Sequence, residues 1–243
     1  VTRLYAYCVG DDLAAETVEG ASGVAGSPLV LFRRGPLAVV ASPFDGKAVP
    51  ATRENVLEHS RVNGLVLART TPLPFRFGTL VDERRLQEHL ERNEAALLAA
   101  LGRVRGCVEM GAKVIWDAAA QSEGGGESED EGPASPASPR GAGTAFLLAK
   151  RRALEGAEAL KGRAEELAAL LAARLEGLAR ESSVEVNPAG SLVVRAAHLV
   201  ARGREAEYRE RLRALGRERE DLRLMLSGPW PPYSFGPQRA ERA

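Results

Sequence analysis

Short apolar runs with strand spacing alternate along this chain with longer stretches whose apolar positions recur every three or four residues. Leu4 to Val9 reads as a strand, with β-favouring Tyr5 and Tyr7 at alternate positions. Leu29 to Phe32 and Leu37 to Ala41 are the arms of a hairpin whose turn signal is Gly35-Pro36. From Ala51 to Leu67 the spacing of Val56, Leu57, Leu65 and Val66 predicts a helix, which Gly64 weakens and Pro72 with Pro74 must end. A short strand around Phe75 to Phe77 follows. Asp82 is the predicted N-cap of a second helix, with Leu86, Leu90, Leu97, Leu98 and Leu101 along its apolar side and Gly102 at its end. Val104 to Trp116 alternates well enough for a long strand, in which Gly106 and Gly111 mark bulges or close approaches.

The order breaks at Ala118 to Gly143. Gly124-Gly125-Gly126 precedes the acidic run Glu127 to Glu131, and Pro133, Pro136 and Pro139 follow. So few apolar side chains cannot offset the entropy of ordering, which predicts a disordered linker. The longest predicted helix then runs from Thr144 to Arg180. Leu160, Ala164, Leu167, Leu171, Leu175 and Leu178 form a seam narrow enough to pack on another helix, so self-association through it is one expectation. Glu185 to Val186 and Ser191 to Val200 read as a hairpin around Asn187-Pro188-Ala189-Gly190, Arg204 to Leu215 as a charged helix, and Leu222 to Leu226 as the last strand.

These elements imply an α+β protein in two domains, residues 1–117 and 144–243, joined by a linker at 118–143. With Val104 to Trp116 in front, the second half reads βαββαβ, the ferredoxin-like order, and the first half resembles a rearranged version of it. Gly228 to Gly236 then packs Trp230, Tyr233 and Phe235 among Pro229, Pro231 and Pro232. Proline bars helix and central strand here, while each docked aromatic buries about 150 to 250 Å², so this tail is expected to be held against the protein.

Acidic and basic residues cancel to a formal net charge of zero, which argues against a general nucleic-acid or anionic-membrane binder. Neither a bilayer-length apolar run nor a secretory leader is legible, so a soluble intracellular protein is expected. Cys8 and Cys107 lie in separate strands and read as buried thiols. His59, His89 and His198 lack metal-ligand spacing, and no nucleophile elbow or phosphate-loop motif is present; no cofactor, metal or catalytic group is expected. Arg76-Phe77-Gly78-Thr79 could be a small anion site ahead of a helix, or merely a glycine bend closed by Thr79. Glu109 and Lys113 share one strand face but stand about 13 Å apart, so each needs its own partner, and Arg76 is the partner to test for Glu109. Tyr5 and Tyr7 would suit base stacking only if exposed.

Three blocks carry a resemblance. Pro74-Phe75-Arg76-Phe77-Gly78-Thr79 with His59 fifteen positions before it, Glu109-Met110-Gly111-Ala112-Lys113-Val114, and Gly228-Pro229-Trp230-Pro231-Pro232-Tyr233-Ser234-Phe235 resemble, in this order, signatures of the gas vesicle protein F/L family. The resemblance implies a ferredoxin-like N-terminal domain and an α+β C-terminal domain. It implies an intracellular, non-enzymatic accessory protein of gas vesicle assembly, found in the cytoplasm and at the vesicle. Its implied partners are the small hydrophobic shell protein and other accessory proteins, without nucleic acid or lipid membrane. His59, Arg76, Phe77, Gly78, Glu109, Lys113, Trp230, Tyr233 and Phe235 are then the candidate motif or partner-contact residues. A small-ligand or phosphate-binding enzyme built on the Arg76 turn, and a coiled-coil adaptor built on the leucine seam, are the competing readings.

Overall fold

A computed structural model describes residues 3–116, 141–187 and 192–237. The predicted acidic linker lies almost wholly outside them. The described elements run β1 (Arg3–Gly10), β2 (Val30–Arg34), β3 (Leu37–Phe44), α1 (Arg53–Leu67), β4 (Leu73–Pro74), β5 (Leu80–Val81), α2 (Glu83–Val104), β6 (Cys107–Trp116), α3 (Gly141–Arg174), β7 (Ala179–Asn187), β8 (Leu192–Ala201), α4 (Glu205–Glu218) and β9 (Leu222–Trp230). The fold is mixed α+β, built on two antiparallel sheets.

The first sheet has the order β2-β3-β1-β4, with β5 also pairing with β1. Its central strands are buried on both faces, which explains why β1 and β3 read as nearly continuous apolar runs. On one face α2 lays down Leu86, Leu90, Leu97 and Leu101 against Ala6, Val9, Val39 and Ala41. On the other, Val62 and Val66 of α1 meet Tyr5, Tyr7 and Val40, closed over by Leu13, Val24 and Leu29. Thr52 and Asp82 cap α1 and α2, accepting from the Asn55 and Arg85 amides at 3.2 and 2.8 Å.

The second sheet has the order β7-β8-β6-β9. With α3 and α4 in sequence this is the βαββαβ arrangement, and β6 belongs to it by pairing although it precedes the acidic insertion. Both helices cover one face, where Leu167, Leu171, Leu175 and Leu212 pack on Met110, Ala112, Val114 and Val194. The leucine seam from Ala164 to Leu178 is therefore buried against this chain's own sheet and offers no free strip for another helix. Leu160 lies outside the residues whose side chains are described.

Three local expectations change. The long helix stops at Arg174 rather than Arg180, because Gly177 takes a left-handed φ of 69° and residues from Ala179 pair with β8. The short strand expected at Phe75 to Phe77 is replaced by two-residue strands on either side of that segment. β9 continues past Leu226 to Trp230, through Pro229, which is tolerated because β9 is an edge strand.

Candidate functional site

Where β9 ends, the second sheet meets the first, and most of the singled-out residues gather there. Strand pairing sets Trp230 opposite Glu109, with a register irregularity between Glu109 and Gly111. Gly228 makes it: its φ is 100°, and a Cβ there would stand 2.7 Å from the Glu109 carbonyl oxygen. Beyond Trp230 the chain turns tightly, the Tyr233 amide donating to the Pro231 carbonyl and the Phe235 amide to that of Pro232. The Glu109 carboxylate accepts the Ser234 amide at 2.7 Å and the Ser234 hydroxyl at 3.1 Å. Phe235 is 2% exposed and sits in the core of the first half with Leu90, Leu101 and Leu199. Arg103 donates to the Phe235 carbonyl. The tail is thus held by both sheets.

Tyr233 reaches the opposite side of the junction. Its hydroxyl lies 3.3 Å from His59 Nε2 and accepts from the Asn63 side-chain amide at 3.3 Å. His59 Nδ1 lies 2.8 Å from the Tyr5 hydroxyl, which also accepts the Gly78 amide at 3.2 Å. The Asn63 side-chain amide also faces Nε2, at 3.0 Å, so this nitrogen accepts and the ring proton of neutral His59 sits on Nδ1, facing the Tyr5 hydroxyl. Aromatic rings surround the imidazole: Tyr7 stacks on it at 5.7 Å, while Tyr5 and Phe77 approach edge-on at 5.7 and 5.8 Å. Burial drives the His59 pKa down to about 4, against a smaller opposing effect of the Phe75 carbonyl, so the ring is neutral near pH 7. Burial also raises Tyr5 to about 12 and Tyr233 well above its ordinary value. Asn63 Oδ1 is buried without a hydrogen-bond partner among the described residues, a cost of about 1 to 3 kcal/mol carried by the network.

His59, Phe77, Gly78, Glu109, Tyr233 and Phe235 come together in this way across the chain. Arg76 and Lys113 do not join them. No ion pair links Arg76 to Glu109 among the described residues; Arg76 instead borders a groove beside α2. The Arg76 to Thr79 turn is closed internally, since the Gly78 amide goes to Tyr5 and both the amide and hydroxyl of Thr79 go to the Arg76 carbonyl. Those groups are not free to cradle an anion. Tyr5 and Tyr7 are fully buried and offer no stacking platform. Sequence reasoning missed Asn63, Ser234 and Arg103 as participants. Asn63 meets His59 four positions away and Tyr233 170 away, while the partners of Ser234 and Arg103 lie 125 and 132 positions away.

Among the described residues, no group of three or more His, Cys, Asp or Glu side chains could hold a metal ion. No described helix is long and apolar enough to cross a membrane. Cys8 and Cys107 are buried free thiols, and burial raises both pKa values. Tyr5, His59, Tyr233, Glu109 and Ser234 form a polar and aromatic knot between two sheets.

The sequence profile described as "Gas vesicle synthesis protein GvpL/GvpF" matches residues 3–237. The chain belongs to the GvpL/GvpF family. Gas vesicle protein L of a Streptomyces species is 30% identical over an alignment covering 95% of this chain and 91% of that protein. Gas vesicle protein L1 of Halobacterium salinarum is 26% identical, covering 96% of this chain and 90% of its own length. The crystal structure of GvpF from Anabaena superposes with a TM-score of 0.74 at 20% identity, covering 97% of this chain and 96% of that one. GvpF from Microcystis aeruginosa gives 0.70 at 16% identity. This GvpL/GvpF chain therefore shares the whole two-sheet fold of those structures, and its family places it among gas vesicle accessory proteins.

Proposed function

We propose that this protein binds monomeric gas vesicle shell subunits and delivers them to the growing wall, with other accessory proteins held elsewhere on its surface. It acts in the cytoplasm and at the vesicle, without catalysis. A shell subunit that lines a gas space must carry a large apolar face, and such a face aggregates unless covered before assembly. The observation that carries the reading is the exposure of anchored apolar side chains at the end of β9. Trp230 is 46% exposed, Tyr233 43% and Met225 52%, although the backbone holding them is locked by both sheets. Strand pairing sets Met225 opposite Lys113 and Trp230 opposite Glu109, on the sheet face away from α3 and α4. Rigid aromatic anchors of this kind dominate protein interfaces because little side-chain entropy is lost on docking.

Co-expression with the shell protein tests the proposal. A soluble complex should co-purify, and Trp230→Ala combined with Met225→Ser should abolish it while the variant stays folded by circular dichroism. A shell protein left equally insoluble, or a complex indifferent to both substitutions, overturns the reading.

A further inference from the structure

A second surface lies apart from the tail. Between α2 and the segment joining β4 to β5 runs an open groove of about 590 Å³. Arg85, His89 and Arg92 line one wall at spacings of four and three residues, which places them on one face of α2. Arg76 stands on the other wall, and half-buried Phe75 with buried Leu86 supplies the apolar surface between. Among the described residues Arg76 and Arg92 form no ion pair; Arg92 Nε donates only to the Glu88 carbonyl at 3.2 Å. Arg85 is paired with Asp82 at 3.3 Å, and Glu88, the groove's one acid, with Arg84 at 3.1 Å. The Asn93 side-chain amide faces His89 Nδ1 at 3.3 Å, which leaves the His89 ring N–H on Nε2.

Guanidinium groups match planar oxyanions with paired hydrogen bonds, and among the described residues two of these three have no acidic partner. A free phosphate could take up that charge but would leave the apolar surface and most of the volume unfilled, because the groove has the size of a site for a much larger ligand. A protein segment carrying carboxylates beside large apolar side chains satisfies both parts. We infer that this groove is a docking site for an acidic, amphipathic peptide segment of a protein partner, with carboxylates on Arg76 and Arg92 and an apolar side chain against Phe75 and Leu86. It stands independently of the shell-binding reading, which uses the open face of the other sheet. The whole chain carries no net charge, so the attraction is local and weakens with salt.

The test is a selection from a random peptide display library against the full chain. Enriched sequences should combine Asp or Glu with large apolar residues. A synthetic peptide from the enriched set should bind the Arg76→Ala/Arg92→Ala variant at least about tenfold more weakly, and lose affinity as salt is raised. Lys113→Ala/Arg195→Ala, on the other sheet, should leave its binding unchanged. Both groove arginines are exposed, so a thermal melt should show the variant folded. Enrichment of neutral or basic sequences, or equal binding to the groove variant, overturns the inference. Displacement of the peptide by millimolar inorganic phosphate would reassign the groove to a small anion.

Discussion

The carboxylate of Glu109, near the start of β6, accepts both the backbone amide and the hydroxyl of Ser234 in the tail, 125 positions later. This pair fixes the tail beyond the last strand, where a chain would otherwise fray. A half-buried carboxylate accepting two hydrogen bonds contributes more than a neutral pair. Glu109→Ala should therefore cost about 2 to 3 kcal/mol, and Glu109→Gln, which keeps one acceptor aimed at the Ser234 amide, about 1 kcal/mol. Urea unfolding gives both values. Limited proteolysis should show the tail of the alanine variant cleaved before the rest, and protection equal to that of the unaltered chain would refute the locking role.

Phe235 and Trp230, five positions apart, should behave oppositely. Phe235 fills the core of the first half, so Phe235→Ala leaves a cavity worth about 3 to 5 kcal/mol. Trp230 keeps nearly half its surface in water, and Trp230→Ala should cost about 1 kcal/mol or less. Denaturation of the two variants separates the lock from the surface anchor. Equal losses would mean that Trp230 is as structural as Phe235.

The tail's docked state was legible because proline excludes the regular alternatives while the aromatics demand burial. Asp82 as a cap and the alternation of β6 were legible for the same local reason: each depends on residues a few positions apart. The Glu185 to Val186 arm of β7 was legible too, but its first half was not, since Gly177 redirects a stretch whose preceding composition still favours helix. The leucine seam was legible as apolar, but that α4 and the second sheet of the same chain cover it was not, because periodicity reports which face is buried and not what buries it. The His59, Tyr5 and Tyr233 network was least legible. It depends on contacts between residues 54 and 174 positions apart, which only the folded sheets bring together.

Acid should unfold the protein through its histidines. Burial holds His59 and His198 near pKa 4 against an ordinary value of 6.5, and it lowers His89 as well, with help from Arg92. The folded chain keeps the first two rings neutral down to about pH 4, whereas the unfolded chain protonates them below about 6.5. Unfolding therefore takes up protons in that window, and stability is full above it and falls as the pH drops through it. The loss at about pH 5 should be roughly 2 kcal/mol for each buried histidine. Urea midpoints between pH 7 and pH 5 measure it. His198, whose Nδ1 lies 2.9 Å from the buried Tyr208 hydroxyl, is the cleaner probe because it stands apart from the tail. His198→Gln should flatten part of the slope, and an unchanged slope would remove His198 as a source.

Leu171 decides between an adaptor helix and a core helix. A leucine at a helix–helix interface between separate chains could be changed to glutamate with loss of association and survival of the monomer. Here Leu171 is 2% exposed and packs within the cluster formed by α3, α4 and the second sheet. A carboxylate forced into that site must be desolvated without a partner, and the cavity term of the lost leucine adds to it. Leu171→Glu should therefore cost at least about 4 kcal/mol and leave the second half unfolded or insoluble at any protein concentration. Sedimentation and circular dichroism on one sample distinguish the outcomes. A well-folded monomer from an originally dimeric protein would restore the coiled-coil reading that the buried seam argues against.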